Sequence, residues 1–290
     1  MDLSVVIVSY NVSNLLKACL NSVILATENI DSEILVVDNN SSDDSCTMVS
    51  LNFPEVQLIR NNINKGYAAA NNQAIRISGG RYILLLNPDT IVRKETFKMC
   101  ISFMDSHIDG GALGVKMTDG DGIYLPESKR SFPSAGSAFF KSFGFSYLFP
   151  DSGLFNRYYL SSVGQEDTSA AEVIAGAFMF IRKEALDTTG LLDEDFFMYG
   201  EDIDMSYRIM QAGYRNYYFP EVTITHFKGC STPRDNYDDI LNFYEAMRIY
   251  IRKRKAEGLF RYSHTFLTAG VFFRESLALL NRFLTLKFRK

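Results

Sequence analysis

Four short polar clusters in the first third of the chain carry the residue types that bind ions and phosphates, and each follows an apolar run. They are Tyr10-Asn11, Asp38-Asn39, Asn61 to Asn64, and Asn87-Pro88-Asp89. The last is the most informative. Tyr82-Ile83-Leu84-Leu85-Leu86 is bounded by Gly79-Gly80 and Pro88, and a run that short predicts a buried strand rather than a helix. Asp89 then falls just past the strand's carboxyl end. In open α/β sheets that edge holds the ligand crevice. A carboxylate fixed there can take a divalent cation, and the cation a diphosphate. Asn, Asp and Ser also form turns for local reasons, so each cluster alone has two readings. The four gain meaning together if one sheet edge collects them.

The elements that would do so are legible. Apolar strands are expected at Leu3 to Ser9, Ile34 to Val37, Val56 to Ile59 and Tyr82 to Leu86. Helices are expected from a cap at Asn11 or Ser13 to about Ala26, and from Gly66 to Ile77. Strand and helix in alternation predict βαβ units, a parallel sheet and helices on both faces. Beyond Asp89 the pattern gives a helix over Lys94 to Ser106, a strand over Gly111 to Met117 and a hairpin at Asp119 to Gly122. Val173 to Ile181 reads as one strand with Gly176 in its middle, and Glu201 to Ala212 as a helix stopped by Gly213. Asn216 to Phe219 and Val222 to His226 read as two short strands. Pro126 to Ala170 is patternless but rich in Phe and Tyr, which argues for a functional segment rather than disorder.

The chain has 290 residues, 47% of them apolar, enough for one large α/β domain with a helical appendage. Its net charge of −4 gives no general attraction to nucleic acid. Cys19, Cys46, Cys100 and Cys230 are widely spaced, which predicts free thiols in a reducing cytosol and no zinc site. No leader is read ahead of Val5-Val6-Ile7-Val8, and no spanning helix is expected. The tail predicts two helices. In the second, Phe273, Leu277, Leu280, Leu284 and Phe288 share one face, and Arg274, Asn281, Arg282 and Arg289 the other. That face has three possible fates: the domain itself, a homodimer, or a membrane surface.

Glycine-rich phosphate fingerprints are missing after the first strand, where Tyr10-Asn11-Val12-Ser13 stands, so dehydrogenase, ATPase and nucleotidyltransferase readings lose their main support. The motifs Val5 to Asn11, Val36 to Ser41, Asn64-Lys65-Gly66-Tyr67, Asn87 to Thr90 and above all Gly190 to Asp204 resemble those of the inverting family 2 glycosyltransferases, within them the rhamnosyltransferase-like branch. The resemblance spans Met1 to Phe227.

It implies a GT-A fold: a Rossmann-like, mostly parallel sheet flanked by helices, with a nucleotide-sugar half over 1–110, an acceptor half over 111–232 and a C-terminal helical extension over 233–290. It implies that Ser9, Tyr10, Asn11 and Asp38 hold base and ribose, and that Asn64, Gly66 and Asn71 help seat the nucleotide. The family's usual Asp-x-Asp is Asn87-Pro88-Asp89 here. One carboxylate is left for Mn²⁺ or Mg²⁺, with Asn87 bonding the donor. His226, which alone would read as a structural histidine, becomes the second metal ligand. Asp202 becomes the general base, although Glu201, Asp202 and Asp204 could equally serve only to complement a helix's positive end. Arg130, Gly176 and Glu201 fall to the acceptor side, Arg130 reaching a phosphate of donor or acceptor, and Phe132 to Tyr159 form either an acceptor wall and lid or a small hydrophobic subdomain or dimer contact. The implied reaction is metal-assisted transfer, best matched by dTDP-L-rhamnose, to a surface-polysaccharide or lipid-linked glycan at the cytoplasmic face of the membrane. A UDP-sugar donor, or a carbohydrate-binding scaffold without chemistry, are the alternatives.

Overall fold

A computed structural model of the chain describes residues 1–133, 164–229, 237–256 and 260–288. The first half runs β1 (Leu3–Ser9), α1 (Ser13–Thr27), β2 (Ser32–Asp38), α2 (Ser45–Asn52), β3 (Gln57–Arg60), α3 (Tyr67–Ile75), β4 (Tyr82–Leu86), β5 (Thr90–Ile91) and α4 (Thr96–Ser106). The second half adds β6 (Gly110–Thr118), β7 (Lys129–Arg130), β8 (Ser169–Ala170), β9 (Val173–Ile174), β10 (Phe178–Arg182), α5 (Lys183–Thr189), α6 (Glu201–Gln211) and β11 (Arg215–His226). Two helices follow, α7 (Tyr237–Lys253) and α8 (Phe260–Phe288).

The sheet has the order β3-β2-β1-β4-β10-β6-β11-β5, with β8 beside β11. β1 is parallel to β2 and β4, and both of its faces are covered. Leu3, Val5 and Ile7 pack with Leu16, Leu20 and Phe97 on one side. Val6 and Val8 pack with Ala70, Ala74 and Met205 on the other. Two-sided burial is why β1 reads as a continuous apolar run.

The sheet is α/β but not parallel throughout, because β10 is antiparallel to both β4 and β6. An antiparallel strand starts where its parallel neighbours end. The chain entering β10 therefore lies at the carboxyl edge of β4, with Phe178 opposite Leu86. The expected single strand from Val173 to Ile181 is two strands, since Phe178 N donates to Ala175 O across a turn at Gly176. Apolar periodicity does not register a turn built from Ala and Gly. Conversely, the two strands expected around Pro220 are one. β11 continues through it by a bulge, the register jumping from Phe219↔Val115 to Thr223↔Lys116, a setting that tolerates proline.

Helix ends follow local chemistry. α6 closes with Gly213 at φ 90, Gly213 N donating to Met210 O and Tyr214 N to Ile209 O, a Schellman stop. α1 is not capped by Asn11 or Ser13. Instead Asp43 Oδ2, from the next strand's loop, accepts from Ser13 N at 3.0 Å, so two loops at the carboxyl edge are tied together. α2 was not foreseen, its apolar residues being too few for a helical stripe.

The tail packs onto the domain through α7, whose Ala246 and Ile249 bury Phe196. α8 packs on α7 through Ile251, Leu267 and Val271. Phe273, Leu277, Leu280 and Leu284 stay exposed. No helix among the described residues is long and apolar enough to cross a membrane. Cys19, Cys46 and Cys100 are free. Cys230, Arg289, the Phe288 side chain and most of the aromatic stretch assigned to the acceptor wall lie outside the described residues.

Candidate active site

The register Ser9↔Asp38 sets the ends of β1 and β2 side by side. Asn11, at φ 55, clasps the β2 loop. Its N donates to Ser41 Oγ at 2.9 Å, and its Oδ1 accepts from Ser42 N at 2.7 Å. Asp38 Oδ2 accepts from Ser41 N at 2.9 Å, while Asp38 Oδ1 and Ser9 Oγ are buried polar atoms with no hydrogen-bond partner among the described residues. Such atoms cost stability unless a ligand engages them.

Asn39 is the hub of the floor. Its Nδ2 donates to Asn64 Oδ1 at 2.7 Å, and its Oδ1 accepts from Lys65 N at 3.0 Å. Gly66 follows at φ 82, where an added Cβ would meet Phe197 O at 2.5 Å. Only glycine fits there. Tyr67 N then donates to that same carbonyl at 2.7 Å. Asn71 is fully buried and donates to Tyr67 O at 2.9 Å, so it supports the turn from behind. The space above is a cleft of about 480 Å³ lined by Tyr10, Asn39, Asn64, Gly66, Asn87 and Pro88, with Phe197, Met198 and the first turn of α7 opposite.

Asp89 and His226 meet because β5 pairs with β11, His226 opposite Thr90. Phe227 N donates to Asp89 O at 2.9 Å, and Asp89 Oδ1 lies 3.2 Å from His226 Nε2. Both are buried, at 2% and 8% exposure. Adjacent ligand atoms on one octahedral ion, each at about 2.1 Å, stand about 3 Å apart. The pair fits a divalent cation, and a mixed oxygen and imidazole set favours Mn²⁺ over Mg²⁺. No third His, Cys, Asp or Glu joins them among the described residues.

The second centre lies at the start of α6, behind Gly200 in the left-handed conformation. Asp202 Oδ1 accepts from Ile203 N at 2.8 Å and Oδ2 from Gly176 N at 3.2 Å. Arg130 pairs with the same Oδ2. Glu201 is buried, and its Oε2 has no hydrogen-bond partner among the described residues. Burial first, and the charge of Asp202 second, push the Glu201 carboxyl up to about 8. Gly176 links this second centre to the cleft. Its carbonyl accepts from Tyr67 OH at 3.0 Å, and its neighbour Ala177 O accepts from Asn87 N at 3.1 Å.

Residues 4–190 match the model of the family described as Glycosyl transferase family 2. The chain belongs to glycosyltransferase family 2. Among its family 2 relatives is the N-acetylglucosaminyl-diphospho-decaprenol L-rhamnosyltransferase of Mycobacterium tuberculosis, 27% identical over 87% of this chain and 84% of that protein. Another is the UDP-Glc:alpha-D-GlcNAc-diphosphoundecaprenol beta-1,3-glucosyltransferase WfgD of Escherichia coli, 35% identical over 35% of this chain and 40% of that one. The GT-A fold of this family 2 enzyme is shared with mannosyltransferase PcManGT from Pyrobaculum calidifontis, solved with GDP-Man and Mn²⁺. The two superpose with a TM-score of 0.62 at 16% identity, over 96% of this chain and 74% of that one.

The sequence assigned no role of their own to three features of this site. Asn39 and Tyr67 stand inside the quoted motifs, and their spacing from the strands could have flagged them. Asp238, Asp239 and Asn242 of α7, which wall the cleft, carried no signal, since the tail has no motif and its docking depends on Phe196.

Proposed function

We propose that this enzyme moves a sugar, with inversion, from a nucleoside diphosphate to a hydroxyl of a lipid-diphosphate-linked or polysaccharide glycan. The best-supported donor is dTDP-L-rhamnose, because the mycobacterial rhamnosyltransferase aligns over most of the chain. The runner-up is a UDP-sugar, which the Escherichia coli relative's name carries. Asp38 and Ser9 to Asn11 take the base and ribose, and the turn from Asn64 to Gly66, backed by the buried Asn71, seats the nucleotide. Asn87 bonds the diphosphate. Asp89 and His226 hold a divalent cation, which when bound neutralises charge on the departing diphosphate. Asp202 accepts the proton of the acceptor hydroxyl as that oxygen attacks the anomeric carbon. Arg130, Gly176 and Glu201 face the acceptor. Residues 1–110 serve the donor, 111–232 the acceptor, and 233–290 form the extension, whose basic, apolar helix rests on the cytoplasmic membrane face.

The observation that carries this reading is the Ala175-Gly176-Ala177 turn. Through Gly176 N and Ala177 O it binds Asp202 and Asn87 within two adjacent residues, so base and donor edge share one wall. The test is a panel of nucleotide sugars with Mn²⁺ or Mg²⁺, scored by release of nucleoside diphosphate. Asp202→Asn is expected to lower turnover by about 10³-fold with nucleotide affinity kept. A scaffold without chemistry would bind a donor and release nothing.

A further inference from the structure

The first turn of α7 forms one wall of the cleft, and the segment ahead of α6 holds that helix in place along its length. Phe196 is buried by Ala246 and Ile249. Tyr199, itself at φ 70, donates from its hydroxyl to Asp239 Oδ1 at 2.6 Å. At the far end Lys253 pairs with Asp193, and Arg252 with Asp195 at 3.0 Å. The polar side chains of the cleft fall into two sets. Asn39, Asn64 and Asp239 are spent on protein partners. Asp238, Asn242 and, across from them, Asn87 line the same space, and their side chains make no hydrogen bond or ion pair among the described residues.

We propose that Asp238 and Asn242 are specificity-determining residues that bind the hydroxyls of the donor's sugar. The two are one helical turn apart, so they present one carboxylate and one carboxamide on the same face. No Lys, Arg or His is among the residues lining the cleft. A carboxylate there repels a diphosphate, whose charge is drawn instead to the cation end at Asp89 and His226. The part of a donor that suits the α7 wall is therefore uncharged and rich in hydroxyls. A carboxylate accepts two O–H bonds, and a carboxamide donates as well as accepts, which matches neighbouring hydroxyls on a sugar ring. This deepens the reading above and rests on it. That reading gives base and ribose to Asp38 and Ser9 to Asn11, so the hydroxyls left for α7 are those of the transferred sugar. Polar groups set to bond a hydroxyl discriminate strongly against a ligand that lacks it.

The test is calorimetric titration of the full-length protein, with Mn²⁺ and no acceptor, against dTDP-L-rhamnose and UDP-glucose and against dTDP and UDP. Asp238→Ala and Asn242→Ala should each weaken the nucleotide sugar that wild type binds more tightly by about tenfold, and Asp238→Asn should fall between. Affinities for dTDP and UDP should stay within about twofold in all three. Equal losses for nucleotide and nucleotide sugar overturn the proposal and give this wall to the nucleoside. Unchanged affinities in variants that melt like wild type overturn it too, as does a wild type that binds both nucleotides but neither nucleotide sugar. Tighter dTDP and UDP with an unaltered nucleotide-sugar affinity would make Asp238 a source of repulsion only, which also defeats it. Failure of the underlying enzyme reading is separate: wild type would then release no nucleoside diphosphate from any donor, whatever the titrations give.

Discussion

Asp89 Oδ1 and His226 Nε2 stand 3.2 Å apart because two residues of β5 pair with the end of β11. The ladder holds the His226 backbone, and Phe227 N donating to Asp89 O holds that of Asp89. Asp89→Asn and His226→Ala are each expected to raise the Mn²⁺ concentration needed for half-maximal turnover by tenfold or more and to lower turnover by about 100-fold. Metal titration of activity, alongside paramagnetic detection of bound Mn²⁺, checks this. Unchanged metal affinity in both variants would return His226 to a purely structural role.

Gly66→Ala should be costly out of proportion to one methyl group. The residue sits at positive φ, and its Cβ would press on Phe197 O at 2.5 Å. The backbone must shift, at about 1–3 kcal/mol, and Tyr67 N loses its acceptor. Urea denaturation should report that loss, and nucleotide affinity should fall with it because Asn64 moves along with the loop.

Glu201 gives stability a pH slope. The unfolded chain releases this proton at an ordinary carboxylate value, whereas the folded chain keeps it to about 8. Between those values the native state binds more protons, so stability is full at low pH, falls as pH rises through this window, and levels off above it. The unfolding free energy from denaturant titrations taken across the window should decline for wild type by an amount on the order of a few kcal/mol. Glu201→Gln, neutral at every pH, should flatten the curve.

The outer stripe of α8 predicts a surface behaviour. Phe273, Leu277, Leu280 and Leu284 are exposed, and Arg274, Arg282 and Lys287 are on the same helix. Flotation with vesicles containing anionic lipid should carry the protein upward at low salt, and Leu277→Glu with Leu280→Glu should abolish it without changing the melting temperature. A wild-type protein that stays at the bottom but sediments as a dimer would assign the stripe to a second copy.

How much of this was legible depended on whether the information was local. The strands β1, β2 and β4 announced themselves because both faces are buried, and their polar ends marked the carboxyl edge of the sheet directly. The β9 to β10 break was hidden because Ala175-Gly176-Ala177 is as apolar as the strands around it. The antiparallel placement of β10 is a long-range pairing with no trace in the run itself. Asp89 and His226 could be joined only through family resemblance, since nothing in either stretch encodes the pairing of Thr90 with His226. The occupation of Asp202 by Arg130 is likewise a contact between segments that sequence spacing does not relate.

The insertion of β10 between β4 and β6 also bears on how the molecule is made. A ribosome that has delivered only the first four strands leaves the far rim of β4, Leu84 included, with its amide and carbonyl groups unmatched, because Phe180 is its partner. Until that later segment emerges, the nascent chain carries an open, apolar seam of the kind that invites self-association. Translation speed between those points, and chaperone cover during it, should therefore govern yield more than the stability of the finished protein does.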